Sequence, residues 1–286
     1  MRAVIINGVP VDPEAAHISV YDRGFLYGDS VFETIRTYGG KPFALADHMA
    51  RLARSAERVL IPLPAPLAVL ADEVERGVAL AQNPESYVRL MLTRGTGPLG
   101  LDPDLAEHPN RVIFVEPLVS PPPEAYEKGI DAIIVHTARA ADATPAAGAK
   151  VANYLTSLLA IREARLRGAS EAFIVDGRGH VLEGTTSNVF LVKSGTLVTA
   201  PEESGILPGI TRAYLLRGAD RLALPVALRD IQEAELFEAD ELFISSSLRE
   251  VLPVVRVDGR PIATGRPGPV TVKLHQEFRR HVTGVG

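Results

Sequence analysis

The sequence predicts an α+β fold in two domains, a small N-terminal α/β domain and a larger, mainly β/α C-terminal domain. The chain has 286 residues, the size of one large domain or two modest ones. Segments with strand-like and helix-like patterns follow one another along it, without an internal repeat. A proline-rich stretch separates two groups of these segments. We therefore expect domains at residues 1–118 and 126–286, joined by a linker at 119–125.

Local patterns assign the elements of the N-terminal domain. A run of β-branched and aromatic side chains predicts a strand over residues 29–38, and Gly39-Gly40 then predicts a hairpin turn. Apolar residues at helical spacing predict helices over residues 46–59 and 66–81. Further strands are expected at residues 3–7, 42–45, 87–93 and 111–115.

The same signals assign the C-terminal domain. Asp176-Gly177-Arg178-Gly179 predicts the turn of a hairpin whose strands cover residues 171–174 and 180–182. Helices are expected at about residues 155–166 and 211–222. Further strands are expected at residues 132–135, 188–192 and 196–199.

Composition excludes several functional classes. Hydrophobic residues make up 46% of the chain and charged residues 23%, an ordinary mix for a globular protein. The net charge of −5 indicates no general attraction to nucleic acid or to an anionic membrane. The absence of cysteine excludes disulfides, thiolate nucleophiles and cysteine metal sites. We expect a cytoplasmic protein, because the sequence shows neither a signal peptide nor a membrane span.

Two motifs that could carry chemistry are rejected. Gly95–Gly100 matches the glycine pattern of dinucleotide-binding loops, but the next strand is expected near Arg111, which leaves no room for the helix that holds the pyrophosphate. The seven histidines lack the spacing of metal ligands, so no metal is expected.

Three other segments have both a chemical and an ordinary structural interpretation. Lys150 lies among small apolar residues, so it is either a partly desolvated nucleophile or a surface lysine at a strand end. Glu183, between apolar strands, is either a rim charge or the partner of a protonated ring nitrogen. The glycine-containing turn 205–212 leads into a helix and is either a phosphate site or a simple helix cap.

Together these segments resemble the class IV aminotransferases, which are pyridoxal-phosphate enzymes of fold type IV, the fold of D-amino-acid aminotransferase. The signature is Glu183-x4-Asn188-Val189-Phe190, Leu197-x-Thr199 and Leu207-x-Gly209-Ile210-x-Arg212. The resemblance extends over nearly the whole chain through Tyr27-Gly28-Asp29, Phe32-Glu33, His48-x-x-Arg51-Leu52, Lys150-x-x-Asn153-Tyr154-Leu155, Phe243–Ser247, Pro253-Val254 and Gly268–Thr271.

The resemblance implies pyridoxal 5′-phosphate as the cofactor. Lys150 would bind it covalently and move the proton at the substrate α-carbon, and Glu183 would pair with its ring nitrogen. Tyr154 would donate a hydrogen bond to its phenolic oxygen, and Leu207 would pack on its ring. The phosphate group would be held by Arg51, the N–H of Ile210, the backbone and hydroxyl of Thr211, and Ser247. Gly209 and Ser246 would also belong to the cofactor site.

Within the family, the substrate loop most resembles that of branched-chain aminotransferases. Tyr87-x-Arg89 is followed by the apolar loop Leu99-Gly100-Leu101, where D-amino-acid enzymes and lyases carry an arginine for a carboxylate. This implies transamination between a branched-chain L-amino acid and 2-oxoglutarate, with Arg89 reaching the distal carboxylate of glutamate. The pocket would also be lined by Tyr27, Phe32, Thr34 and Leu248.

Two departures leave alternatives open. At the position of Thr34, many branched-chain enzymes have glycine, whereas lyases have threonine. The spacing Lys150-x-x-Asn153 is shared with D-type enzymes and lyases. An aminodeoxychorismate lyase and a D-amino acid or (R)-amine transaminase are therefore alternatives. In each case the resemblance implies a homodimer or larger homo-oligomer, in which the loop Leu99–Leu101 reaches the neighbour's active site.

Overall fold

The computed structural model describes residues 1–106, 108–137 and 146–284, and the chain divides into two compact units. The first unit comprises Met1–Val119 and Ala149–Tyr154, and the second comprises Ser120–Gly148 and Leu155–Gly286. Segment 149–154, expected in the C-terminal domain of residues 126–286, belongs instead to the first unit. The cause is main-chain pairing with strand β3 (Ser30–Tyr38), because the amide of Phe32 donates to the carbonyl of Lys150 at 3.0 Å.

The first unit is a six-stranded antiparallel sheet covered by two helices. The strand order is β2-β1-β6-β5-β3-β4. The strands are β1 (Ala3–Ile6), β2 (Val9–Val11), β3 (Ser30–Tyr38), β4 (Lys41–Pro42), β5 (Ser86–Thr93) and β6 (Asn110–Pro117). The helices are α1 (Arg23–Tyr27), α2 (Leu45–Arg58) and α3 (Leu67–Ala81).

The two faces of this sheet differ because side chains alternate along a strand. Val31 and Ile35 of β3 pack into the apolar core beneath α2 and α3, with Leu52 and Leu70 of those helices. Phe32 and Thr34 have the opposite parity and therefore lie on the other face.

Two expectations about the first unit can be judged directly. The strand expected at residues 42–45 is largely wrong: β4 ends at Pro42, and Ala44 adopts a left-handed conformation (φ 50°) just before α2 begins. The expectation that no crossover helix follows Gly95–Gly100 agrees with the described residues, in which the next element is a 3₁₀ turn at Pro103–Leu105.

The second unit is built on a nine-stranded mixed sheet. Its order is β12-β11-β10-β13-β14-β7-β8-β9, with β15 on β14, and a further pairing of β9 with β10 closes a ring of six strands. The strands are β7 (Ile130–His136), β8 (Glu171–Val175), β9 (Val181–Gly184), β10 (Asn188–Lys193), β11 (Thr196–Thr199), β12 (Val226–Leu228), β13 (Glu241–Ser246), β14 (Glu250–Val257) and β15 (Arg260–Pro261).

In the described residues of this unit the helices are α4 (Pro123–Lys128), α5 (Leu155–Leu166), α6 (Ile210–Arg221), α7 (Glu233–Leu236) and α8 (Pro269–Thr283). The core consists of apolar side chains from several strands, among them Phe173, Leu191, Ile244 and Leu252. Helix α4 begins inside the expected linker 119–125, because Pro123 occupies the first helical turn, where a missing N–H costs no hydrogen bond. In the described part of the chain, no helix combines the length and apolar character needed to cross a membrane.

Candidate active site

Lys150 is anchored in the first unit with its amine beside two aromatic side chains. Its backbone N–H donates to the Ser55 hydroxyl at 3.1 Å. Its Nζ lies 3.4 Å from the Tyr154 hydroxyl and 4.6 Å from the centre of the Phe32 ring. Tyr154 directly precedes α5, and its ring meets Phe32 edge-on, with 5.3 Å between ring centres. The predicted catalytic amine is thus held next to a hydroxyl that can exchange a proton with it.

The predicted substrate residues of β3 and β5 lie on the same sheet face as Phe32. The strands pair Thr34 with Arg89 and Arg36 with Tyr87, so the side chains of these residues share that face. The guanidinium carbon of Arg89 lies 3.8 Å from the centre of the Phe32 ring. Within the described residues, Arg89 has no hydrogen-bond or ion-pair partner. This face therefore presents a cation without a counterion above an apolar ring.

The predicted substrate loop is anchored through its glycine. The Gly100 amide donates to the Tyr27 hydroxyl at 3.1 Å, and Arg23 donates to the Gly100 carbonyl at 2.8 Å. On either side, Leu99 and Leu101 are 69% and 82% exposed. The structure therefore does not bury these two leucines in an apolar pocket of their own chain.

Arg51, a predicted phosphate ligand, is held by a buried carboxylate. Its Nε and Nη2 donate to the two oxygens of Glu33 at 2.8 and 2.6 Å, and His48 donates from Nδ1 to the same group at 2.7 Å. Burial alone would raise the pKa of Glu33, but the Arg51 charge and the hydrogen bonds from Arg51 and His48 lower it to about 2. Burial lowers the pKa of His48 more than Glu33 raises it, so the ring is neutral at pH 7. Glu33 thereby fixes the orientation of Arg51.

In the second unit, the side chain of Glu183, a residue of β9, contacts the turn that leads into α6. Its carboxylate accepts a hydrogen bond from the Leu207 amide at 3.0 Å, and the Asn188 amide group donates to the Leu207 carbonyl at 2.9 Å. Gly209 packs against the same asparagine, since a Cβ at position 209 would lie 1.9 Å from Asn188 Oδ1. Asn188 and Gly209, both residues of the signature, therefore shape the turn that carries Leu207 to the start of α6.

The N-terminus of α6 offers backbone N–H groups that have no acceptor within the helix. The helix begins at Ile210 after the N-cap Gly209, which makes no side-chain cap. The amides of Ile210 and Thr211 lie in the first turn, where the helix supplies no acceptor. The Thr211 side chain is buried. Such a helix end attracts a phosphate group through its N–H groups and its dipole.

Ser246 ends β13, and Ser247 and Leu248 follow it in the turn to β14; all three residues are half-buried. The Ser246 hydroxyl accepts hydrogen bonds from the backbone N and the Nε of Arg249, at 3.3 and 3.4 Å. Ser245, just before the turn, is buried, and its hydroxyl has no hydrogen-bond partner in the described structure. Ser245 pairs with Asn188 across the sheet, and Asn188 pairs with Glu183. Through Asn188 of β10, the end of β13 is therefore in register with Glu183 of β9.

Sequence reasoning missed two buried charged pairs. Glu33 and His48 belonged to recognised motifs but had no assigned role, and neither Glu171 nor Arg249 was singled out. Glu171 and Arg249 form a 2.8 Å ion pair in which the glutamate side chain is fully buried. Glu171, a carboxylate at the start of an apolar strand, was the signal available in the sequence. Its partner Arg249 lies 78 residues further along the chain, so no local pattern connects the two.

The comparisons with known proteins identify the family. A family model described as amino-transferase class IV matches residues 30–257, most of the chain. The chain belongs to the class IV aminotransferases. The family predicted from the sequence motifs is therefore confirmed.

Relatives of this class IV aminotransferase carry two different names. The branched-chain-amino-acid aminotransferase of Escherichia coli strain K12 is 35% identical over 284 residues, covering 97% of this chain and 92% of that protein. The D-alanine aminotransferase of Bacillus licheniformis is 32% identical over 279 residues, covering 98% and 96%. Among solved structures, the branched-chain aminotransferase of the archaeon Thermoproteus uzoniensis with norvaline matches with a TM-score of 0.90 and 32% identity over 99% of this chain and 95% of that one. The predicted fold type IV is confirmed.

The cofactor predicted from the motifs is confirmed by the same family. Class IV aminotransferases use pyridoxal 5′-phosphate. A branched-chain amino acid aminotransferase solved with pyridoxamine 5′-phosphate matches this chain with a TM-score of 0.93 and 33% identity, over 99% of this chain and 94% of that one.

Proposed function

We propose that the protein is a pyridoxal-phosphate-dependent aminotransferase that exchanges the amino group between branched-chain L-amino acids and 2-oxoglutarate. The observation that carries the proposal is the Lys150 amine, held 3.4 Å from the Tyr154 hydroxyl and 4.6 Å from the centre of the Phe32 ring. A lysine amine is the group that binds the cofactor's aldehyde in such enzymes.

The residues present fit the cofactor chemically. The molecule needs an amine for its aldehyde, a carboxylate for its ring nitrogen and a cluster of donors for its phosphate. Lys150 supplies the amine and Glu183 the carboxylate. Phosphate donors are supplied by Arg51, the N–H groups of Ile210 and Thr211, and the hydroxyls of Thr211 and Ser247, with Gly209 and Ser246 shaping their backbone. The Ser245 hydroxyl is buried, has no hydrogen-bond partner in the described structure and directly precedes Ser246, so it adds a donor in this part of the second unit.

When bound, pyridoxal phosphate supplies an electron sink for the charge left at the substrate α-carbon. The chain's own residues then control the proton. Lys150 Nζ would move it from the substrate α-carbon to the cofactor carbon that carried the aldehyde, and Tyr154 would stabilise the amine through its hydroxyl. Glu183 would place a negative charge beside the ring nitrogen, and Leu207 would pack on the ring. Holding these groups before substrate binds reduces the reorganisation needed in the transition state.

The first unit supports recognition of both proposed substrates. Phe32 gives an apolar surface for the side chain of leucine, isoleucine or valine. Arg89 lacks a counterion among the described residues and lies 3.8 Å from that ring, so it can pair with the distal carboxylate of glutamate. Tyr27, Thr34, Tyr87 and Leu248 complete the proposed lining.

We further propose that the enzyme is a homodimer or larger homo-oligomer. The exposure of Leu99 and Leu101, at 69% and 82%, supports a role for this loop in covering a neighbour's substrate site. Sedimentation of the active enzyme tests the assembly, and a fully active monomer would contradict it. The cytoplasmic location stays a prediction.

A second candidate is a D-amino acid aminotransferase, favoured by the 32% identity to the D-alanine enzyme of Bacillus licheniformis. The loop Leu99–Leu101 argues against it, because it lacks a cation for the substrate carboxylate. Thr34 favours the lyase alternative, since a hydroxyl at that position can assist protonation.

Steady-state transamination of L-leucine with 2-oxoglutarate tests the proposed function. We expect the wild-type enzyme to be active and Lys150→Ala to be inactive. Lys193→Ala is the matched control, because Lys193 forms a partly exposed pair with Glu238 at 2.6 Å. Activity retained by Lys150→Ala would contradict the catalytic role. A wild-type enzyme that transaminates neither leucine nor glutamate would contradict the function.

A further inference from the structure

The Glu171 carboxylate, at the start of β8, accepts four hydrogen bonds and forms one ion pair although it has no solvent exposure. It accepts from the Ala172 amide at 2.9 Å, from the Thr185 amide at 3.0 Å and from the Thr185 hydroxyl at 2.5 Å. It also accepts from the Ser187 hydroxyl at 3.0 Å and pairs with Arg249 Nη2 at 2.8 Å. One carboxylate therefore accepts three hydrogen bonds from the segment between Glu183 and Asn188.

Arg249 extends this network to the turn between β13 and β14. Its Nη2 also donates to the Thr186 hydroxyl at 2.9 Å, and its Nε donates to the Ser246 hydroxyl at 3.4 Å. The same Ser246 hydroxyl accepts from the Arg249 backbone at 3.3 Å. The ion pair is thus the link between segment 184–187 and turn 246–249.

The local sequence is adapted to this close packing. A Cβ at Gly184 would lie 2.3 Å from the Ser187 hydroxyl and 3.1 Å from the carboxyl carbon of Glu171. Only glycine lets the backbone after Glu183 approach the buried carboxylate this closely. Burial would raise the pKa of Glu171, but the Arg249 charge and the surrounding donors lower it, so the pair is ionised at pH 7.

We propose that Glu171 and Arg249 are positioning residues of the cofactor site, which lock the segment after Glu183 to the turn that carries Ser247 and Leu248. This inference rests on the proposed function, because that function assigns cofactor and substrate contacts to Glu183, Ser247 and Leu248. Neither Glu171 nor Arg249 is among the proposed cofactor ligands. Their effect is to hold two groups of ligands in one fixed arrangement before the cofactor arrives.

The test compares Glu171→Gln, Arg249→Met and the double variant with the wild-type enzyme. The control is Glu277→Gln, which breaks another Arg–Glu pair of the second unit, at 2.7 Å to Arg221. Hydrogen exchange of the full-length apoenzyme is followed for segment 184–187 and turn 246–249. The dissociation constant of pyridoxal 5′-phosphate is measured by absorbance titration.

Each single variant is expected to raise exchange in both segments by about tenfold, since loss of one partner releases both ends of the link. The cofactor dissociation constant should rise about tenfold in each single variant and no further in the double variant. The control should change neither quantity. A purely structural role for Glu171 would loosen its own surroundings but not turn 246–249.

Unchanged exchange in turn 246–249 of Glu171→Gln, with cofactor affinity within about twofold of wild type, would overturn the proposal. If that variant does not fold, Arg249→Lys keeps the charge but lacks the forked donors to Thr186 and Ser246, and the same criteria apply to it. The exchange measurement needs no turnover. A wild-type enzyme inactive with leucine and glutamate would therefore refute the proposed function separately.

Discussion

Replacing Glu33 by glutamine should destabilise the first unit by about 3 kcal/mol at pH 7. The side chain is fully buried, and its pKa of about 2 lies well below the ordinary value of 4.5. That difference corresponds to about 3 kcal/mol of stabilisation by the ionised carboxylate. Breaking a buried ion pair by removing one partner costs about 3–5 kcal/mol, which agrees in size. The variant leaves the Arg51 charge buried without its counterion.

The predicted loss depends on pH in a defined direction. Because the folded protein lowers the pKa of Glu33, its stabilisation is fully present above the unfolded value near 4.5 and is lost as the pH falls toward about 2. The difference between wild type and Glu33→Gln should therefore be largest at pH 6–7 and should shrink steadily below about pH 4.5. Subtracting the two proteins removes the contribution of the titrating groups that do not interact with Glu33.

Urea unfolding of the full chain, followed by circular dichroism from pH 7 to pH 3, measures this difference. Hydrogen exchange in β3 and α2 localises the loss to the elements that carry Glu33 and Arg51. Glu14→Gln is the control: its pair with Arg2 is highly exposed and long, at 3.8 Å, so no measurable change is expected. A loss below about 1 kcal/mol at pH 7, or one independent of pH, would refute the reasoning.

Three further variants test individual contacts. Glu183→Gln should slow the half-reaction with L-leucine by about 100-fold in single-turnover measurements, because the charge beside the ring nitrogen is lost; an unchanged rate would exclude that role. Arg89→Ala should lower kcat/KM for glutamate by at least about tenfold more than for leucine, and equal losses would place Arg89 outside the substrate pocket. Gly209→Ala should weaken binding of pyridoxal 5′-phosphate by about tenfold or more, since its Cβ would lie 1.9 Å from Asn188 Oδ1. Gly218→Ala in the same helix, where the nearest atom is 3.5 Å away, should bind the cofactor normally.

Local sequence patterns predicted the elements that carry the candidate site. The pattern at residues 155–166 gave the bounds of α5, and α6 begins at Ile210, one residue before the expected start. The four-residue spacing from Lys150 to Tyr154 is realised as a contact between their polar atoms. These features depend on residues that are close in the sequence, so the periodicity and spacing of residue types can predict them.

The contacts that orient these residues depend on tertiary pairing. Glu33 meets Arg51 only because α2 packs on β3, and Glu171 meets Arg249 only because β8 and β14 belong to one sheet. Segment 149–154 likewise belongs to the first unit because of its main-chain hydrogen bonds to β3. The periodicity of side chains gives no information about such bonds. Motif resemblance identified the family, but it assigned no partner to Arg51.

The substrate preference is the central claim, and half-reactions of the purified holoenzyme test it most directly. Loss of the bound-cofactor absorbance is followed with L-leucine, L-glutamate and D-alanine separately. The account predicts rapid conversion by L-leucine and L-glutamate and none by D-alanine, which would make Thr34 a tolerated variation. Reaction with D-alanine alone would contradict it in favour of the D-amino acid enzyme, and inertness to all three would contradict it in favour of the lyase.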